Sequence, residues 1–452
     1  MRWLSACLCC GLIACTPKQL TLESLTPNSG PTSGGLPVRV VGSGFSTTAA
    51  VSFDGITATQ TSWESATSLL ASLPPHLGKA GLVDVRVDEE GVSPATLPQS
   101  FRYYFGAPGF TAAPDSPATG VDPWFVAAGD LNGDDAADLI VANYTSANLN
   151  VLLGKGDGSF HPQVSYVAGR SPYGLAVADV DGDGKTDVVT GQYGNDPLQV
   201  LYGKGDGTLE AAQAIATGAA PRAVAVADLN GDGKLDLVTA NFLGSSVSVL
   251  TSQGGRKFAG AVSYPAGTGV RAVAVADFDG KSGPDLAVWS ETDRKLSIAL
   301  NRGDGTFQAG DSFPAGPQPY SGIAADLNGD GKLDLVTANL ANNAVWIHMG
   351  SGDGKFAPGK AYGQSIYSHQ VATGDLNLDG KLDLVIANYV ATGSVGILLG
   401  NGDGSFGQEQ KIPAGKATTW VQIGDWNGDG KLDIAASNGG SNNLSILLNS
   451  SQ

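Results

Sequence analysis

Asp228-Leu-Asn-Gly-Asp-Gly-Lys-Leu-Asp236 decides how this chain is read. Its acidic and amide side chains stand at alternate positions, a glycine turns the backbone in the middle, and an aspartate closes the ninth place. Hard oxygen donors spaced in this way suit a cation that takes six to eight oxygens at roughly 2.3 to 2.6 Å, which points to calcium. The stretch recurs. Counted from the first aspartate, the copies begin at Asp130, Asp179, Asp228, Asp277, Asp326, Asp375 and Asp425, with steps of 49, 49, 49, 49, 49 and 50 residues. So regular a period means stacked structural units.

Working outward from each loop gives the content of one unit. A strand of small residues precedes the loop, as in Ala223-Val-Ala-Val-Ala227, and an apolar strand follows it, as in Leu237-Val-Thr-Ala-Asn241. An alternating strand such as Val247-Ser-Val-Leu250 comes next. Then a Gly-Asp-Gly turn leads to an aromatic that opens a fourth strand, as in Gly156-Asp-Gly-Ser-Phe160 and Gly402-Asp-Gly-Ser-Phe406. Tight hairpins need the positive φ that glycine supplies. No stretch shows a long 3.6-residue apolar period, so the class is all-β. Four strands in each of seven units describe a seven-bladed β-propeller over 108–452. The last unit ends after its third strand at Leu444-Ser-Ile-Leu-Leu448, so the segment 108–117 is expected to return as its fourth strand.

From Phe110 onward the sequence resembles the FG-GAP/VCBS repeats that form integrin-type propellers. That resemblance implies calcium bound by side chains at places 1, 3, 5 and 9 of each loop and by the carbonyl at place 7. The full set stands at Asp179, Asp181, Asp183 and Asp187; at Asp228, Asn230, Asp232 and Asp236; and at Asp326, Asn328, Asp330 and Asp334. It stands again at Asp375, Asn377, Asp379 and Asp383, and at Asp425, Asn427, Asp429 and Asp433. Asp130, Asn132, Asp134 and Asp138 complete it in the first unit, where Asp135 replaces a turn glycine. The fourth loop, Asp277-Phe-Asp-Gly-Lys-Ser-Gly-Pro-Asp285, puts Lys281 at the third ligand place. An ammonium there competes with a metal, so about six ions are expected, with that loop empty.

The first module runs from 21 to 105. It carries Leu25-Thr-Pro-Asn-Ser-Gly-Pro-Thr-Ser-Gly-Gly35, Gly42-Ser-Gly-Phe45, Leu73-Pro-Pro75, the alternating Val83-Asp-Val-Arg-Val87 and a closing Phe101-Arg-Tyr-Tyr104. Short alternating runs between Gly and Pro clusters indicate a small β-sandwich. In this order the landmarks resemble the IPT/TIG family of immunoglobulin-like domains. Ahead of it, residues 1–14 read as a signal peptide too short for a stable membrane span, and 15–20 as a linker. All four cysteines, Cys7, Cys9, Cys10 and Cys15, fall in this leader, so the folded part has no disulfide framework. Leu12-Ile-Ala-Cys15 resembles the lipobox of bacterial lipoproteins, which implies acylation of Cys15 and an outer-membrane or cell-surface location. The membrane is then reached through the lipid alone, and the protein is expected to be a monomer.

The net charge is −17, which disfavours nucleic acid and anionic lipid as partners. Six calcium ions would offset most of it. Six residues before each loop aspartate stand Trp124, Tyr173, Arg222, Arg271, Tyr320, His369 and Thr419, with Trp420 beside the last. If the loops lie at one end of the innermost strands, these residues lie at the other, around the channel mouth. There they could stack on sugars and hold charged side chains, or they could plug the channel. The four histidines, His76, His161, His348 and His369, are scattered, and no nucleophile-base pair, zinc motif or phosphate loop is present. The leading expectation is a non-catalytic binding module for protein or carbohydrate. The rival is a polysaccharide lyase or hydrolase on the same scaffold, with His369 beside Tyr367 as its acid-base candidate. Arg302-Gly-Asp304 has the appearance of an adhesion tripeptide but stands in register with the other Gly-Asp-Gly turns.

Overall fold

The computed structural model describes residues 19–76, 80–114, 116–281, 283–341, 344–364 and 367–451. The leader with Cys15 lies outside them. All named elements are strands, and the chain divides into two compact units, one ending at Gly106 and the next beginning at Ala107.

The first unit is a sandwich of two sheets. One has the order Thr21–Thr26, Pro37–Ser43, Ser68–Ser72, Thr61–Ser65; the other runs Ser29–Pro31, Val92–Tyr104, Gly81–Glu89, Ala50–Phe53, Ile56–Thr57. Alternation decides what faces inward: Val83, Val85 and Val87 are buried while Asp84 and Arg86 are exposed. Val38, Val40, Phe53, Leu69, Val85 and Phe101 fill the space between the sheets. The Tyr103 hydroxyl donates to the Pro74 carbonyl at 2.9 Å, so this buried ring keeps its polar end satisfied.

The second unit contains seven four-stranded antiparallel sheets. Their first strands are Pro123–Gly129, Pro172–Ala178, Pro221–Ala227, Val270–Ala276, Pro319–Ala325, Ser368–Gly374 and Thr418–Gly424. Each packs on the first strand of the next sheet, and the last packs on the first, so the sheets close into a ring. Small side chains allow the close approach at this crowded axis. The second strands, such as Asp138–Asn143 and Asp236–Asn241, are buried at every position because a sheet covers each face. The ring is sealed by Phe110–Ala112, which pairs with Asn443–Asn449 in the register Phe110 to Asn449 and Ala112 to Leu447.

Every second strand opens with the aspartate at place nine of an acidic loop. In the third sheet Asp236 accepts from the Leu229 N–H at 3.1 Å and from the Ser252 N–H at 2.7 Å. The same two bonds recur at Asp138, Asp187, Asp285, Asp334, Asp383 and Asp433. One buried carboxylate thus ties the loop to the turn after the third strand. That function is kept in the fourth sheet, where the loop lacks its third acidic place.

Candidate functional site

Each acidic loop is a coil of side chain to backbone bonds. Asp228 accepts from the N–H groups of Gly231 and Gly233 at 2.8 Å, Asn230 from Asp232 at 3.0 Å, and Asp232 from Lys234 at 3.0 Å. These bonds turn the side-chain oxygens toward one point. Carboxylate oxygens of Asp179, Asp181 and Asp183 lie within 4.8 Å of one another, as do those of Asp277, Asp279 and Asp285. The buried ninth carboxylates add to the charge. Burial, opposed by backbone N–H donors, raises the pKa of Asp138, Asp236 and Asp334, and pushes Asp187 and Asp433 up to about 6. A hard divalent cation offsets both the desolvation and the mutual repulsion, so this donor set fits one.

The loops differ in detail. Asp135 holds φ 65° where most copies have glycine, and Leu378 holds φ 59° at the fourth place of the sixth loop. Lys185 and Lys234, at place seven, pair from outside with Asp183 and Asp232 at 3.2 and 2.9 Å. In the fourth loop the ammonium comes from place five instead, with Lys281 Nζ 3.0 Å from Asp279. The loops also join neighbouring sheets. Gly207 N–H donates to Leu131 O, Gly354 N–H to Phe278 O, and the Asn301 and Asn449 amides to Leu229 O and Leu376 O, all at 2.8 to 3.0 Å. The second turns serve their own hairpins: Asp157 and Asp304 each accept from the N–H two residues on at 2.9 Å. The Arg302-Gly-Asp304 carboxylate is thereby engaged within its turn.

The residues six places before the loops lie on β-bulges. In each sheet the pairing register shifts between the first and second strands at this place, as between Pro123 and Phe125 or Pro319 and Ser321. A bulge re-aims the extra side chain. Here it brings Trp124, Tyr173, Arg271, Tyr320 and His369 together from five different sheets. The hydroxyls of Tyr173 and Tyr320 are 2.6 Å apart, Arg271 donates to Tyr173 at 3.0 Å and lies 3.6 Å over the Tyr320 ring, and His369 lies 4.0 Å from Tyr320 and 5.1 Å from Trp124 between ring centroids. Tyr173, Arg222, Arg271, Tyr320 and His369 are buried, so they form a plug across the channel and most of their surface is closed to a ligand. Trp420 must be corrected. In the seventh sheet the bulged residue is Thr419, and Trp420, one place on, stacks on Phe125 at 3.6 Å between the seventh and first sheets.

His369 is held as a neutral imidazole at neutral pH. Its Nδ1–H donates to the Thr419 carbonyl at 2.7 Å, and burial first, then Arg271, hold its pKa down at about 3. Tyr367 is half exposed. Because the folded pKa lies below the unfolded value of about 6.5, the unfolded chain takes up a proton that the folded chain refuses as pH falls below 6.5. Stability should therefore drop by about 2 kcal/mol more in the native protein than in His369→Gln between pH 7.5 and 5. Denaturant titrations at the two pH values check this; parallel losses in both proteins would exclude it.

Above the plug lies a second ring that the sequence reading missed. Tyr144, Tyr193, Phe242, Glu291, Leu340 and Tyr389 each stand fourteen residues after a loop aspartate, just past the second strand. Tyr144 lies 5.2 Å from Tyr193 and 6.2 Å from Trp124, and Tyr389 stacks on Trp124 at 6.1 Å. Tyr389 is 40% exposed. The signal was the same ruler that found the first ring, applied downstream instead of upstream. The outcome is a solvent-facing floor of aromatic rings.

Among solved structures, the chain is similar to BBS1N in its complex with ARL6DN, at 15% identity and TM-score 0.51 over 75% of this chain and 96% of that one. An Agrocybe aegerita lectin that recognises non-reducing terminal N-acetylglucosamine aligns at 19% identity and TM-score 0.48, over 74% and 90% of the two chains. An auxiliary nutrient binding protein from Bacteroides ovatus aligns at 12% identity and TM-score 0.44, over 96% and 99%. No curated protein matches the sequence. The IPT/TIG domain family matches residues 20–103. The FG-GAP-like repeat family matches 130–190, 179–239, 228–288, 282–337, 326–386 and 375–436, and its fourth match begins only after Asp277 and Lys281. The chain therefore belongs to the FG-GAP-like repeat family, with an IPT/TIG domain ahead of the repeats.

Proposed function

We propose that this protein is an exported, lipid-anchored surface lipoprotein whose calcium-stabilised, seven-bladed propeller binds a protein or glycan without catalysing its conversion. The observation that carries the reading is the aromatic floor: Tyr144 and Tyr389 flank Trp124 at one mouth of the ring, with Tyr193 beside Tyr144, while the ionisable groups beneath them are packed away. Aromatic faces with few accessible acids or bases suit capture better than bond cleavage. Calcium would be held by the six intact loops, with Lys281 supplying the countercharge in the fourth. Its part is to join loop to strand and sheet to sheet. The lipid would be carried by Cys15.

A glycan array and a panel of surface proteins, probed with the mature protein in calcium, test the binding role. Replacing Tyr144 and Tyr389 together by Ala should weaken capture at least about tenfold, some 1.4 kcal/mol. The unfolding midpoint should stay within about 2 °C because both rings reach solvent. Undiminished capture would place the ligand elsewhere. Incorporation of labelled palmitate that disappears in Cys15→Ala tests the anchor.

A further inference from the structure

The second acidic loop carries a charge at place three that most of its neighbours lack, and a residue of the next sheet answers it. Five loops have asparagine there, Asn132, Asn230, Asn328, Asn377 and Asn427, whereas the second has Asp181 and the fourth Asp279. The exchange keeps the loop's shape: Asp181 Oδ1 accepts from the Asp183 N–H at 3.1 Å, as Asn230 Oδ1 does from the Asp232 N–H at 3.0 Å. What changes is the outer atom, which becomes a carboxylate oxygen where the other loops have an amide nitrogen. Asp181 Oδ2 accepts from Arg256 Nε at 2.9 Å, and the Asp181 side chain is only 5% exposed. In the fourth loop Asp279 Oδ2 accepts from Lys281 Nζ at 3.0 Å. Both extra carboxylates are thus met by a cation of the protein.

Arg256 comes from another sheet. It stands in the short hairpin of Ser252–Gly254 and Lys257–Phe258, between the third and fourth strands of the third sheet, where other units have their Gly-Asp-Gly turn. From there its guanidinium reaches the second sheet at three points: Asp181, the Glu210 carboxylate in two bonds of 2.8 and 3.0 Å, and the Tyr202 ring 4.1 Å away. A bidentate pair and a ring face hold the guanidinium still, so its charge is fixed beside the loop. Calcium in this loop and Arg256 then draw on the two oxygens of one carboxylate. Each weakens the other's hold, and linkage makes the effect mutual. We infer that Arg256 is the resident counter-cation of the second loop, holding its calcium affinity down to that of the asparagine loops and gripping the second sheet more firmly when calcium leaves. The inference rests on the calcium reading above.

Calcium titration and calorimetry on the mature protein test it. In Arg256→Gln one bound ion should be held about tenfold more tightly, the scale of a unit charge a few ångströms from a divalent ion at the dielectric of water. By the same linkage the substitution should lower the unfolding midpoint about 2 °C further in EGTA than in saturating calcium. Its lost contacts with Glu210 and Tyr202 count equally in both buffers and drop out of that difference. Asp181→Asn alone leaves Arg256 unanswered and should hold one ion about tenfold more weakly than the native protein, whereas Asp181→Asn with Arg256→Gln should return that ion to the native affinity. The double variant reproduces an asparagine loop with no unpaired carboxylate, so it carries the test should Arg256→Gln not fold. Loss of an ion or an unchanged affinity in Arg256→Gln, equal midpoint losses in the two buffers, or an ion as weak in the double variant as in Asp181→Asn would each overturn the inference and leave the calcium reading standing. A native protein that takes up no calcium would remove both.

Discussion

Chelating calcium should lower the unfolding midpoint of the mature protein by about 10 °C. Six occupied loops at an extracellular-type affinity of roughly 0.1 mM, in about 1 mM calcium, would each contribute about 1.4 kcal/mol. Their sum, about 8 kcal/mol, is of the order of a domain's whole stability. Spread over an unfolding entropy of about 2 cal/mol/K per residue for 345 residues, it gives that shift. The geometry explains why the loss would be global. Without the cation, buried aspartates such as Asp187 and Asp433 face the other loop carboxylates uncompensated, and each is also the tie between loop and turn. Bonds such as Asn301 to Leu229 O and Asn449 to Leu376 O then pass the slackening to the adjacent sheet. Differential scanning calorimetry with and without EGTA measures the effect, and a shift under about 2 °C would reject calcium as the stabiliser. Metal analysis refines it: Asp228→Ala should bind one ion fewer than the native protein, whereas Asp277→Ala in the Lys281 loop should bind the same number.

Much of this architecture was legible because one period carried it. The spacing of Asp130 through Asp425 set the phase of every strand, and the Gly-Asp-Gly turns sat where that phase required them. What the period could not show was the direction of a side chain. Trp420 was placed with the channel residues because it adjoins Thr419, but a bulge takes one residue, and the next in a strand points to the opposite face. Nor could spacing show depth: Tyr173 and Tyr320 come from sheets far apart in sequence, and only closure of the ring brings their hydroxyls to 2.6 Å. The ninth aspartates were read as metal ligands alone because their second partner, an N–H sixteen or seventeen residues away, is no part of any motif. The missed aromatic floor lies outside the repeat's acidic signature altogether, in a place that varies from Tyr to Phe, Glu and Leu.

The other large effect concerns the seam. Deleting residues 109–118 should make the protein aggregate, with an unfolding midpoint at least about 10 °C lower, because an unpaired apolar edge strand is a template for other chains. The deleted segment supplies the fourth strand of the seventh sheet. It also makes the bonds from Ala113 N–H to Ile446 O at 2.8 Å, from Ser450 N–H to Gly109 O at 2.8 Å and from Leu444 N–H to Pro117 O at 2.9 Å. Asn443–Asn449 would keep only its inner neighbour, leaving Leu448 and Ile446 beside an open ladder. Among the described residues no spare strand is at hand, since the other six large sheets of the ring each use four of their own. Light scattering and calorimetry read the outcome, and a synthetic peptide of residues 107–118 added in trans should suppress the aggregation by pairing with the bared edge. A deletion product that stays monomeric with an unchanged midpoint would mean that the contacts between first strands, from Pro123–Gly129 round to Thr418–Gly424, hold the ring closed without any seam.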